Sequence, residues 1–112
     1  MIDSVRFGHI VIHGREYTSD VIIYPDRVEA DWWRKEGHTL YPEDIEAVFV
    51  RKPEILVVGT GVSGLMRVSP EVEDRLKTAG IALRAERTER ACALFNKLSG
   101  HRNVVAALHL TC

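Results

Sequence analysis

The pattern of hydrophobic and polar positions divides the chain into two parts. In the first part, β-branched and aromatic residues form short runs that end at turn residues, a pattern typical of strands; the runs are His9–His13, Val21–Tyr24 and Arg27–Trp33. Short turns join antiparallel strands, because a parallel pair needs a crossover of about a dozen residues or more. We therefore expect an antiparallel meander or a pair of hairpins here.

From Pro42 onwards the apolar residues follow a helical period. Ile45, Val48 and Phe49 are spaced i, i+3 and i+4, and they predict one buried stripe of a helix. Proline is tolerated in the first turn of a helix because its missing N–H would have no partner there. The sequence therefore predicts a helix that begins at Pro42 and ends at Pro53.

Two further helices are marked by their terminal residues. Ser69 is a predicted N-cap before Pro70, and Gly80 closes that helix. Thr88 is the predicted cap of a third helix, which ends at Ser99.

Apolar runs stand before, between and after these two helices: Ile55–Val58, Ile81–Ala85 and Val104–Leu108. A strand–helix–strand–helix–strand order over residues 55–110 predicts parallel strands in a sheet covered by helices. The expected fold class is therefore α/β with three layers: a mixed central sheet, flanking helices and an N-terminal antiparallel β layer.

Composition narrows the class of protein. The chain has 112 residues, of which 46% are hydrophobic, and a formal net charge of −1. This size predicts one domain, residues 1–112, and the charge argues against nucleic-acid binding. Two cysteines, no leading apolar segment and no apolar run of about 20 residues favour a reduced, cytoplasmic setting without a membrane span.

The segment Gly59-Thr60-Gly61-Val62-Ser63-Gly64 fits the GxGxxG fingerprint of dinucleotide-binding loops and follows an apolar strand. In that fingerprint the glycines open a helix whose N-terminus faces the pyrophosphate, whereas here the helix signals begin only at Ser69. The remaining chain is also too short for a complete dinucleotide fold. A structural glycine turn and a binding loop for a smaller ligand both remain open, and we expect no cofactor.

Parallel strands would bring this loop and the end of the last strand to the same edge of the sheet, where α/β proteins hold their crevices. The candidate ligand-binding residues are Gly59, Thr60, Gly61, Ser63, Gly64, His109 and Thr111. No spacing indicates a metal site, and no catalytic constellation stands out, although His109 lies close to Cys112.

Trp32 and Trp33 are candidates for contact with a partner. Adjacent residues of a strand point to opposite faces, so only one of the two rings enters a given core. The other ring, followed by Arg34, predicts an interface anchor, although a second covering layer explains it equally well. The one basic concentration, Arg84, Arg87, Arg90 and Arg102, is interleaved with glutamates and favours a solvated surface.

Together these segments resemble a family of unknown function. Its members include the mitochondrial complex I assembly factor three and an adipogenesis-associated protein. The matching residues are Arg6-Phe7-Gly8, Gly14-Arg15-Glu16-Tyr17, Trp33-Arg34, Gly37-His38, Pro53, Val58-Gly59-Thr60-Gly61, Thr88, Ala91, Asn96 and Val105–Cys112. Phe95 departs from the family, which often has tyrosine there. The resemblance implies the three-layer fold, no established reaction or cofactor and, for the mitochondrial member, a role in assembling a respiratory complex.

The leading hypothesis is a non-enzymatic binding or assembly module that holds a protein partner and is itself a monomer or a weak homo-oligomer. The alternative is a small-ligand or anion-binding protein, possibly an enzyme, that uses the glycine loop and the C-terminal residues.

Overall fold

A computed structural model describes residues 1–112. Ten strands and three helices follow one another along the chain. The strands are β1 Ile2–Arg6, β2 His9–Ile12, β3 Arg15–Tyr17, β4 Val21–Ile23, β5 Val28–Glu29, β6 Thr39–Leu40, β7 Ile55–Thr60, β8 Arg67–Val68, β9 Ala82–Glu86 and β10 Val104–His109. The helices are α1 Glu46–Arg51, which a 3-10 turn over Pro42–Ile45 precedes, α2 Pro70–Ala79 and α3 Thr88–Leu98.

Five strands form the central sheet in the order β5-β4-β10-β7-β9. Strand β7 pairs parallel with β10 and with β9, whereas β4 pairs antiparallel with β10 and β5. The predicted mixed sheet, with its β7-α2-β9-α3-β10 half, is confirmed. Because β7 and β10 lie inside the sheet and both faces are covered, nearly every residue of these strands is buried.

Each face of the central sheet has its own core. On one face, α3 and the antiparallel sheet β1-β2-β3 cover residues such as Val57 and Ala106, and Phe95 and Ile10 fill the space between the layers. On the other face, α1 and α2 pack over a second set of buried residues that includes Leu56. The three layers and the N-terminal antiparallel β layer are as predicted.

The predicted ends of α2 are confirmed. The Ser69 hydroxyl accepts a hydrogen bond from the Val72 amide at 3.3 Å, Pro70 occupies the first helical position, and Gly80 closes the helix in the left-handed conformation (φ 76°). These signals are local, since each contact joins residues a few positions apart.

Two predictions were wrong. The strand expected over Arg27–Trp33 consists only of Val28 and Glu29, because Asp31 takes a left-handed backbone conformation (φ 56°) that ends the extended chain. Thr88 does not cap α3: it is the first helical residue, its hydroxyl contacts other elements, and Arg87 precedes the helix without a side-chain cap.

Candidate functional site

The carboxyl ends of β7, β9 and β10 meet at one edge of the central sheet, which we call the carboxyl edge. The residues after β10, Leu110–Cys112, cross this edge, and we call them the tail. The Leu110 carbonyl accepts a hydrogen bond from the Gly8 amide at 2.8 Å, which ties the turn between β1 and β2 to the tail. The predicted ligand-binding residues all lie here.

The tail fills the glycine loop, residues Gly59–Gly64. The Val62 amide donates to the Thr111 carbonyl at 2.7 Å, and the Leu65 amide donates to the Cys112 carbonyl at 3.0 Å. The N–H groups of Val62, inside the loop, and of Leu65, directly after it, are therefore bound to the tail and are not available to an anion.

Close backbone approach explains the glycines at this edge. Gly61 has a φ of 107°, and a Cβ atom there would overlap the Cys112 carbonyl carbon. A Cβ at Gly59 would lie 2.9 Å from the Thr88 hydroxyl oxygen. Both positions exclude a side chain because another segment already occupies the space.

The polar side chains of the loop lie in different surroundings. The Thr60 hydroxyl donates to the Glu86 carbonyl at 3.1 Å, whereas Ser63 is exposed. The loop opens no helix, since β8 intervenes and α2 begins at Pro70. The assignment of Gly59–Gly64, His109 and Thr111 as a ligand site stays a prediction, and a ligand there would have to displace the tail.

Beside the tail lies a buried polar cluster of Asp20, Arg34 and His109. Asp20 Oδ2 lies 2.7 Å from Arg34 Nη1 and 2.8 Å from His109 Nδ1, and Asp20 Oδ1 accepts from the Leu110 amide at 2.8 Å. The side chains are only 16%, 5% and 8% exposed, respectively. The cluster thus joins the loop before β4, the loop after β5 and the end of β10.

The geometry fixes which ring nitrogen of His109 carries a proton. Nδ1 faces both Asp20 Oδ2 and, at 3.0 Å, Arg34 Nη2. A bare Nδ1 lone pair would repel the carboxylate, so Nδ1–H donates to Asp20, and Arg34 Nη2 donates instead to the Gly37 carbonyl at 3.1 Å. His109 Nε2 and Arg34 Nε are buried without a hydrogen-bond partner.

The cluster holds Asp20 ionised. Burial raises the pKa of this carboxyl, but hydrogen bonds from the His109 side chain, the Leu110 amide and Arg34 outweigh burial, so its pKa lies below the ordinary value of 3.8. Asp20 was not among the predicted site residues. The sequence carries no local signal for it, because its partners His109 and Leu110 lie 89 and 90 positions away.

A carboxylate that orients a histidine is a common arrangement for a general base, with the far nitrogen facing the substrate. Here the far nitrogen, Nε2, is enclosed, and the His38 ring stands edge-on to His109 with centroids 6.4 Å apart. The three surface cavities of the protein are lined by other residues. Within the fold, the hydrogen bonds of the cluster join three segments of the chain.

The predicted partner-binding residues Trp32, Trp33 and Arg34 differ in exposure: two are buried and one is exposed. The Trp32 ring is buried and donates from Nε1 to the Asp44 carbonyl at 2.9 Å, and Arg34 is buried in the polar cluster. Trp33, between them, is 78% exposed. The expectation that only one ring enters the core agrees with this arrangement, although the residues lie in a loop and not in a strand.

Three more large apolar side chains are exposed on segments bound to the tail: Phe7, Val62 and Leu65. Phe7 and Val62 line one groove of about 460 Å³ together with Val5 and Thr88 and with four charged residues, Arg6, Arg87, Glu89 and Arg90. We refer to Phe7, Trp33, Val62 and Leu65 as the apolar edge residues.

The model of a family described as "Protein of unknown function (DUF498/DUF598)" matches residues 2–109. Curated relatives carry the name NADH dehydrogenase [ubiquinone] 1 alpha subcomplex assembly factor 3. The Danio rerio protein is 36% identical over 67% of this chain and 44% of its own length, and the Homo sapiens protein is 31% identical over 95% and 58%. The chain thus spans about half the length of these relatives.

Solved structures share the whole fold. A conserved hypothetical protein from Pyrococcus horikoshii superposes with a TM-score of 0.86 at 31% identity, covering 100% of this chain and 99% of that one. The protein called MT938 gives 0.82 at 29% identity, with coverages of 100% and 98%. None of the three helices has the length and apolar character that crossing a membrane requires.

Proposed function

Because this chain belongs to the DUF498/DUF598 family and is similar to proteins named as assembly factors, we propose that it is a non-enzymatic assembly module that holds a protein partner at its carboxyl edge. The observation that carries the proposal is the exposure of Trp33, with 78% of the residue in solvent. Aromatic rings of this kind are frequent anchors of protein interfaces, because burying one removes a large apolar area from water.

The loop around Trp33 is fixed on both sides, which favours binding. Trp32 is held in the core by its hydrogen bond to Asp44, and the Arg34 guanidinium stacks 4.7 Å from the Trp32 ring centroid while it pairs with Asp20. A ring held on an ordered loop loses less conformational entropy on binding than a ring on a mobile one.

The enclosed cluster and the filled loop support the non-enzymatic part of the proposal. A substrate needs access to a reacting group, and His109 Nε2 has no surface cavity beside it. The free state of both cysteines agrees with the proposed cytoplasmic setting.

The proposal is tested by site-specific photocrosslinking in the native host. A benzophenone amino acid is placed at Trp33, at Phe7 or at Leu65, and the matched control is Val50 of α1, an apolar residue that is 84% exposed but lies away from the edge. We expect one common crosslinked protein from the three edge positions and none from Val50. Absence of a product, or the same products from Val50, would contradict the proposal.

Substitution gives the complementary measurement. Trp33→Ala should abolish copurification of the crosslinked protein and leave the melting temperature of the module unchanged, whereas Val50→Ala should change neither. Trp32→Ala is expected to lower the melting temperature, since its ring is in the core.

A further inference from the structure

Strand β9 forms one edge of the central sheet and pairs only with β7. The Ala82 amide donates towards β7, to the Glu54 carbonyl at 3.0 Å. Because backbone groups alternate in direction along a strand, Ala82, Arg84 and Glu86 face β7, and the N–H and C=O groups of Leu83 and Ala85 point away from the sheet. An unpaired edge of this kind can accept another strand.

A groove of about 470 Å³ runs beside this edge, between β9 and α3. Its lining consists of Arg84, Glu86, Arg90, Ala93, Leu94 and Lys97. Of its three cations only Arg84 forms an ion pair, with Glu86 at 3.9 Å; the Arg84 side chain is exposed and the Glu86 side chain is partly exposed. The groove therefore carries unpaired positive charge on a protein whose formal net charge is −1.

We propose that β9 accepts an extended acidic segment of a partner protein as a sixth strand of the central sheet. Leu83 and Ala85 would supply the backbone hydrogen bonds, and the cations of the groove would face carboxylates of the added strand. This interface contains none of the apolar edge residues, although Arg90 also lines the groove beside Phe7 and Val62.

Side-chain alternation specifies the segment further. Successive side chains of a strand point to opposite faces, so every second residue of the added strand lies on the α3 side, next to Arg84, Arg90 and Lys97. The intervening residues lie on the α2 side, next to Leu83, which packs against the core of that face. The matching sequence alternates acidic and apolar residues.

A second copy of the chain fits the same edge less well. A two-fold pairing of β9 with itself would bring two grooves of net positive charge together, and the repulsion between Arg90 and Lys97 of the two copies disfavours it. Charge complementarity thus favours an acidic partner.

The probe is a synthetic peptide of alternating glutamate and valine, long enough to span the five residues of β9. A peptide of alternating lysine and valine is its charge control. In the NMR spectrum of the intact chain we expect the glutamate peptide to slow hydrogen exchange of the Leu83 and Ala85 amides, and the lysine peptide to leave it unchanged. Addition of salt should weaken binding, because the cations are exposed.

Two variants test the backbone hydrogen bonds of β9 and the positive charge of the groove separately. Ala85→Pro removes an outward N–H without removing a hydrogen bond to β7, and Arg90→Glu with Lys97→Glu reverses the groove charge. Each should lower the affinity for the glutamate peptide at least about tenfold, whereas Lys77→Glu, which reverses a single exposed charge on α2, should change affinity less than about twofold.

Three outcomes would overturn the proposal. The first is no binding of the glutamate peptide. The second is binding without slower exchange at Leu83 and Ala85, which would indicate charge attraction alone; this readout on the unmodified chain holds even if Ala85→Pro fails to fold. The third is concentration-dependent protection of the two amides without peptide, which would assign the edge to a second copy of the chain.

Discussion

Gly61 and Thr88 are joined by two hydrogen bonds that run in opposite directions. The Gly61 amide donates to the Thr88 hydroxyl at 2.8 Å, and the Thr88 amide donates to the Gly61 carbonyl at 3.1 Å. The same hydroxyl donates to the His109 carbonyl at 2.5 Å. One buried side chain thus joins the end of β7, the start of α3 and the end of β10.

Replacing this hydroxyl should cost substantial stability. Thr88→Val keeps the shape but leaves the Gly61 N–H and the His109 C=O without a partner, and we expect the free energy of unfolding to fall by about 3 kcal/mol. Thr88→Ser keeps the hydroxyl and should lose about 1 kcal/mol for the missing methyl group. Urea unfolding of both variants measures the difference, and equal losses would mean that the buried hydroxyl contributes no more to stability than the methyl group.

Because the tail contacts the glycine loop, we expect an alanine substitution to destabilise the fold more at Gly61 than at a glycine with open space around it. Gly61→Ala combines an unfavourable backbone conformation with overlap against Cys112, and it should lower stability by at least about 3 kcal/mol. Gly80 also has a positive φ but open space around it, so Gly80→Ala should cost only about 1–2 kcal/mol. Thermal unfolding compares the two, and a Gly61→Ala protein as stable as Gly80→Ala would show that the tail is easily displaced.

The lowered pKa of Asp20 predicts a specific dependence of stability on pH. A carboxyl whose folded pKa is below its unfolded value stabilises the fold above the unfolded value, near 3.8, and loses that contribution as the pH falls towards the folded pKa. At neutral pH, Asp20→Asn should therefore be less stable than the unmodified protein by about 3 kcal/mol, and the gap should narrow below about pH 4.

Chemical denaturation at a series of pH values between 7 and 2 measures the difference in stability between Asp20→Asn and the unmodified protein. Asp74→Asn, which removes an exposed carboxylate of α2, controls for the general effect of charge. Parallel curves for Asp20→Asn and the unmodified protein would show that Asp20 does not titrate differently in the folded state.

The two thiols should react at very different rates. Burial raises the pKa of Cys92 to about 12, so it is protonated as well as inaccessible at pH 8, whereas Cys112 is exposed. We expect iodoacetamide to modify one thiol per native chain, and Cys112→Ser to abolish that fast reaction. Mass spectrometry counts the modified thiols, and rapid modification of Cys92 would mean that α3 opens readily.

Much of the fold could be predicted because its signals are local. Ser69, Pro70 and Gly80 mark α2 through contacts within the helix itself, and the apolar run Ile55–Val58 indicates a strand covered on both faces. In these cases the neighbouring sequence contains both partners of the interaction.

The candidate site was less predictable because its partners are distant along the chain. Thr88 has the residue type of an N-cap, but its hydroxyl accepts a hydrogen bond from the Gly61 amide and donates one to the His109 carbonyl. In the sequence, Arg34 has the character of an exposed cation. In the folded chain it is buried beside Asp20 and His109. The glycine fingerprint likewise matches a ligand loop in sequence, and only the folded chain shows that the tail lies in it.

The position of β10 sets an order on folding during synthesis. Strands β4 and β7 do not pair with each other; both pair with β10, which the ribosome makes after them. Until Val104–His109 has emerged, neither β4 nor β7 has its neighbour in the sheet, and the apolar edge that each presents to β10 is unpaired. Such edges favour aggregation, so this fold should need its last strand quickly or a chaperone that shields the two edges in the meantime.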